Sequence, residues 1–233
     1  GVALTDILTG LNGTIAALAA IARRDATGQG AHVDMSLLDV TVSAMANQAL
    51  NYLVSGEAPV RMGNAHPNIV PYQAFATADD YIIVAVGNDA QFARFCAAAG
   101  HADVASDARF ADNAARVENR EQLVAMIEGW MRAKPAADWI AEMEAVGVPC
   151  GPINDMAQVF ASAQIRHRAL RMDLPHAPAG TVPQVANPIR YAGEELEYKP
   201  GPPVLGQHTD EILKDLLEMS DEEVAALRKA GMI

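Results

Sequence analysis

The chain has 233 residues, 51% of them hydrophobic, which is enough for a real core in one large domain or two modest ones. Acidic side chains number 29 against 17 basic, a net charge of −12. That balance argues against nucleic acid as the main partner, because phosphate binding needs clustered Lys and Arg.

Residues 7–24, "ILTGLNGTIAALAAIARR", predict a helix that is apolar nearly all round and therefore buried. Two arginines close it, where cations favour the helix dipole. Its apolar part is shorter than the roughly 20 residues a membrane span needs. No basic region precedes it, so it is not read as a signal peptide. Gly28 and Gly30 signal a turn. "AHVDMSLL" then alternates apolar and polar side chains and predicts a strand. Residues 39–54 return to helical spacing, so the opening reads helix, strand, helix, as in an α/β layer.

Gly56 to Pro71 holds three prolines and Gly63 and reads as a linker or functional loop. "YQAFAT" and "YIIVAVG" flank the turn "ADD" and predict a hairpin. Asn88 with Gln91, and Asn119 with Gln122, have capping-box spacing ahead of helices, the second over 119–132. A further helix is expected over 136–146. "GVPCGPIN" is a short strand or extended turn, and the proline-rich stretch after 170 predicts paired edge strands or a crossing linker. Helices start near Thr209 and at Ser220, the latter with Glu223 completing a capping box. The organisation expected is 1–56 as part of an α/β domain, 57–71 as a linker or active-site loop, 72–160 as a smaller α+β domain, and 161–233 as a return segment with C-terminal helices.

Chemistry-bearing motifs are few. "TGQG" follows a helix and precedes a strand, the reverse of a dinucleotide fingerprint, and it lacks the Lys-Ser/Thr of a phosphate loop. There is no G-x-S-x-G nucleophile elbow. The six histidines show no close ligand pair, so no metal site is expected. Cys96 and Cys150 lie far apart without C-x-x-C spacing and read as reduced thiols of a cytoplasmic protein. His66, in "GNAHPNIVPYQ", sits where it could touch a ligand, although an isolated histidine is more often a surface or turn residue. Asp6 is the one charge between Gly1 and Ala22. An aspartate at a helix start is commonly an N-cap. The other role is a carboxylate that attacks an activated acyl carbon. Spacing alone leaves both open.

The phrases "GVALTDILTG", "TGQGAHVDMSLLD", "GNAHPNIVPYQAF", "IIVAVGNDAQFARFC", "GVPCGPIN" and "LGQHTDEIL", in this order, resemble the class III CoA-transferases of CaiB/BaiF type, the family of formyl-CoA transferase. The phrasing is most similar to the succinyl-CoA:glutarate branch, which uses succinyl-CoA and dicarboxylic acids. The resemblance implies an α/β fold: a Rossmann-like large domain, incomplete here, with a smaller α+β domain. It implies two chains interlocked as a homodimer. It also implies that family members carry an N-terminal portion ahead of this stretch, and so that this chain could be a truncated, inactive fragment. The aspartate of the family's G-x-x-x-x-D-x-x-x-G stretch falls on Asp6, which is thereby the catalytic nucleophile. Its carboxylate would form an anhydride with the donor acyl group, then an aspartyl-CoA thioester, and pass CoA to the acceptor acid. Gly63, His66 and Asn68 would line the acceptor site. Coenzyme A enters as a substrate, with no permanently bound cofactor and neither nucleic acid nor membrane as partner. A racemase of the α-methylacyl-CoA type shares the aspartate and is the alternative.

Overall fold

The computed structural model describes residues 1–194, 196–198 and 201–233. The expected return segment falls outside the described residues at 195, 199 and 200. The chain forms two compact units, residues 1–153 and 154–233.

The first unit opens with α1 (Leu4–Thr27), stopped by Gly28 in the left-handed conformation that glycine adopts at no steric cost. The expectation that this helix is buried is not met: it has no buried residue. Leu4, Ile7, Leu11, Ile15, Leu18 and Ile21 are each between 46 and 64% exposed, because α1 packs mainly on α2 (Leu37–Ala44). By length and composition α1 could cross a bilayer. The strand expected from "AHVDMSLL" is likewise absent. Residues 29–36 are irregular, and no neighbouring backbone pairs with them among the described residues; alternation makes a strand only where a partner completes the ladder. Ser36 instead caps α2, its hydroxyl accepting from Asp39 N–H at 3.1 Å. The single helix expected over 39–54 is two, α2 and α3 (Ala46–Ser55), broken where Ala46 takes φ 45°.

Beyond the loop 56–71 the chain closes a core of its own. β1 (Tyr72–Ala76) and β2 (Tyr81–Ala85) make the expected hairpin, and β3 (Cys150–Pro152) adds to the far edge of β2, all antiparallel. Helices α4 (Asp89–Ala98), α5 (Asn113–Glu118), α6 (Arg120–Met131) and α7 (Ala136–Ala145) complete it. Asn88 caps α4 as its sequence predicts, but the Gln91 side chain returns to Gly87 N–H, one residue earlier than a capping box requires. Asn119 does not cap α6; its amide donates to the carbonyls of Ala115, within α5, and of Arg109, ahead of α5. Phe75, Ile82, Val84, Phe92, Phe95, Leu123, Ile127 and Trp139 are all at most 1% exposed. Burial of each such side chain stabilises by about 1.5–3 kcal/mol. The Trp139 indole donates to Met131 C=O at 2.8 Å, which satisfies the one polar atom it brings inside.

The second unit holds α8 (Met156–Ala161), α9 (Ala163–His167) and the antiparallel hairpin β4 (Arg171–His176) and β5 (Gly180–Val185). Asp155 and Gln158 form a capping box on α8. Pro175 and Pro183 are accommodated because each strand has one neighbour among the described residues, so a missing N–H can face away from the ladder. α10 (Thr209–Glu211) runs into a π-helical turn, and α11 (Asp221–Lys229) starts at the expected Ser220–Glu223 box.

Candidate active site

Asp6 is not the N-cap. That position falls to Ala3, because the helix begins at Leu4 rather than Ile7, and Asp6 lies in the first turn. The carboxylate is exposed, and no hydrogen bond reaches it among the described residues. First-turn N–H groups have no intrahelical acceptor, so this is the positive end of a 24-residue helix. The adjoining Thr5 is tied down: its hydroxyl meets Thr41 Oγ1 of α2 at 3.3 Å, and its carbonyl accepts from Thr9 Oγ1 at 2.8 Å. A carboxylate at a helix start, facing solvent and committed to no partner among the described residues, is free to attack an electrophile.

Gly63 takes φ 61° in a tight turn closed by Ala65 N–H to Met62 C=O at 3.1 Å, a backbone state that disfavours a side chain. His66 is half-buried and stacks on Tyr72 with ring centroids 5.3 Å apart. Its Nδ1 accepts from Asn68 N–H at 3.1 Å, so Nε2 carries the proton of the neutral ring. The Asn68 side-chain oxygen accepts from Asn51 at 3.1 Å and Asn47 at 3.4 Å, both on α3. His66 and Asn68 are thus brought together, with Gly63 in the turn just before them. No hydrogen bond joins Asp6 to any of the three among the described residues; α2 and α3 connect the two places through Thr41, Asn47 and Asn51.

Sequence reading missed the residues that hold the loop. Arg116 is fully buried and donates to Val70 C=O at 2.8 Å, Phe110 C=O at 3.0 Å and Asp89 at 2.7 Å, with its guanidinium over the Phe92 ring. The signal available was an arginine flanked by Ala115 and Val117 in a short helix, a place where a cation needs partners. The thiols offer no rival nucleophile: burial pushes Cys96 up to about 12, and Cys150 is also raised by burial. No group of three His, Cys, Asp or Glu side chains is placed to hold a metal among the described residues.

The architecture is that of the CaiB/BaiF proteins. A solved CaiB/BaiF family protein from Brucella suis is similar with a TM-score of 0.72 and 44% identity, over 93% of this chain and 56% of that one. The Mycobacterium tuberculosis protein Rv3272 is similar with a TM-score of 0.74 and 27% identity, over 89% of this chain and 54% of that one. The chain belongs to CoA-transferase family III, whose family model matches residues 1–209. It is 41% identical to the succinate–glutarate CoA-transferase of Agrobacterium fabrum over 93% of its length and 54% of that protein's. It is 36% identical to the human succinyl-CoA:glutarate CoA-transferase over 100% of its length and 53% of that protein's. The chain thus spans about half the length of the curated relatives it matches.

Proposed function

We propose that the protein is a CoA-transferase that moves CoA from succinyl-CoA, or a similar short-chain acyl-CoA, to a dicarboxylic acid, with Asp6 as nucleophile. The family match across residues 1–209 carries this reading. An Asp6 carboxylate oxygen attacks the donor thioester carbonyl; the C–S bond breaks, and CoA leaves as thiolate with an aspartyl–acyl anhydride behind. The thiolate then attacks the Asp6 carbonyl carbon, expels the donor acid as carboxylate and leaves an aspartyl-CoA thioester. The acceptor carboxylate attacks that thioester; the C–S bond breaks, CoA leaves again as thiolate, and a second anhydride forms between Asp6 and the acceptor. The thiolate finally takes the acceptor's acyl carbon, which restores the Asp6 carboxylate. Each step exchanges one activated acyl bond for another, so the scheme calls for no resident cofactor and no net proton. The first-turn N–H groups around Asp6 supply positive potential where each tetrahedral oxyanion develops.

The acceptor site is assigned to Gly63, His66 and Asn68. His66 Nε2–H and the Asn68 side-chain NH2 are donors suited to a carboxylate, the group that distinguishes a diacid from a neutral acyl chain. The working form is an interlocked homodimer in the cytoplasm, in which assembly covers the exposed apolar stripe of α1.

The experiment is Asp6→Ala in the full-length protein with succinyl-CoA and glutarate. Loss of a covalent nucleophile lowers kcat by at least about 1000-fold. Mass spectrometry of the wild-type protein with succinyl-CoA alone finds the adduct on Asp6. Retained turnover in the variant overturns the assignment. Exchange of the α-hydrogen with deuterated solvent, without CoA transfer to glutarate, moves the protein to the racemases.

A further inference from the structure

Asn113, Arg116 and Arg120 are spaced by three and four residues, and together they grip the backbone of the loop that carries His66 and Asn68. Asn113 donates to Asn68 C=O at 2.8 Å and accepts from Val70 N–H at 3.3 Å. Arg116 takes Val70 C=O at 2.8 Å. Arg120 Nη2 takes two successive carbonyls, His66 at 2.9 Å and Pro67 at 2.7 Å. The carbonyls of residues 66, 67, 68 and 70 are thereby all held by side chains of α5 and α6. Arg120 is the member that reaches His66 itself. Its Nη1 is buried with no hydrogen-bond partner among the described residues. The interactions it does make go to the His66–Pro67 backbone, through charge-assisted hydrogen bonds roughly twice as strong as neutral ones.

The geometry points to Arg120 as a positioning residue for acceptor recognition: it fixes the His66–Asn68 backbone so that the Asn68 N–H locks His66 in the Nε2–H tautomer and the loop offers its donors already oriented. The inference rests on the assignment of the acceptor site to this loop. Arg120 touches no reacting atom. It acts through backbone carbonyls, so its loss disorganises recognition of the acid and spares attack on the donor.

The test uses the full-length protein with succinyl-CoA and glutarate, and Arg120→Lys and Arg120→Gln variants checked for folding by circular dichroism. Lysine keeps the cation but replaces the planar fork by a point donor. It raises the glutarate KM roughly 10-fold, the equivalent of one charged hydrogen bond lost. Glutamine raises it further, up to about 100-fold. Both leave formation of the Asp6 adduct from succinyl-CoA alone within about twofold, well short of the loss that marks a missing charged bond. In 15N NMR the His66 ring moves from a fixed Nε2–H pattern toward a tautomer average in both variants. An unchanged glutarate KM with an unchanged His66 spectrum overturns the proposal, and so does an equal slowing of adduct formation, which marks a general structural role. The lysine variant decides alone if the glutamine variant does not fold. A wild-type protein with no transfer and no adduct sinks the functional reading instead, while the His66 spectrum still reports on the clamp.

Discussion

Helices α4, α6 and α7 and helix α1 all carry apolar side chains at helical spacing, yet only the first three bury them. Phe92 and Phe95 of α4, Leu123 and Ile127 of α6, and Trp139 of α7 close on the β1–β2–β3 sheet. The stripe of α1 faces outward along its length. Periodicity therefore names a face but not its cover. The cover comes from elements distant in sequence, and within this chain α1 has little beyond α2. The candidate nucleophile sits on the uncovered helix, while the loop assigned to the acceptor is tied to the closed core.

The sharpest way to break the contrast is a pair of truncations in urea unfolding. Phe95→Ala, at a position with no exposure, destabilises by about 3–5 kcal/mol. Leu11→Ala, on the α1 stripe, stays within about 0.5 kcal/mol in the isolated chain. A similar loss at both positions would show that α1 has a cover of its own. A smaller effect tests the polar part of the core. Arg116→Met keeps the side-chain length over Phe92 but removes the donors to Val70 and Phe110, at about 2 kcal/mol. An unchanged unfolding midpoint would mean that those carbonyls find other donors.

The smallest effect concerns pH. Side-chain hydrogen bonds from Arg109 hold the Asp107 carboxyl down at about 2. A depressed folded value contributes stability that is present above the unfolded pKa of about 3.9 and lost as pH falls through the folded one. The difference in Tm between the wild type and Asp107→Asn therefore narrows between pH 4 and pH 2. A difference independent of pH would mean that the ion pair adds nothing in solution, the usual outcome for exposed pairs.

Much of the secondary structure beyond residue 71 was legible from sequence because its signals are local. The "ADD" turn between β-rich runs, Asn88 ahead of α4 and Ser220 ahead of α11 each satisfy their own backbone within a few residues. The failures are equally specific. The alternation in "AHVDMSLL" satisfied the strand pattern, but a strand also needs a second backbone. Asn119 matched a capping box by spacing, but its amide donates instead to the carbonyls of Ala115 and Arg109 on the N-terminal side. Asp6 was legible as an isolated carboxylate at a helix start; its exact place in the first turn depended on where the helix began.

The sequence alone determined the places where the chain turns, caps and alternates, the single charge at the head of α1, and the ordered phrases of a CoA-transferase family, because these are properties of neighbouring residues. Tertiary structure decided which apolar faces are covered. It also decided that Asn113, Arg116 and Arg120 reach back some 45 to 54 residues to hold the loop at 66–70. Those contacts bury charge, and a buried guanidinium is stable only where the fold delivers acceptors to it, which no local pattern encodes.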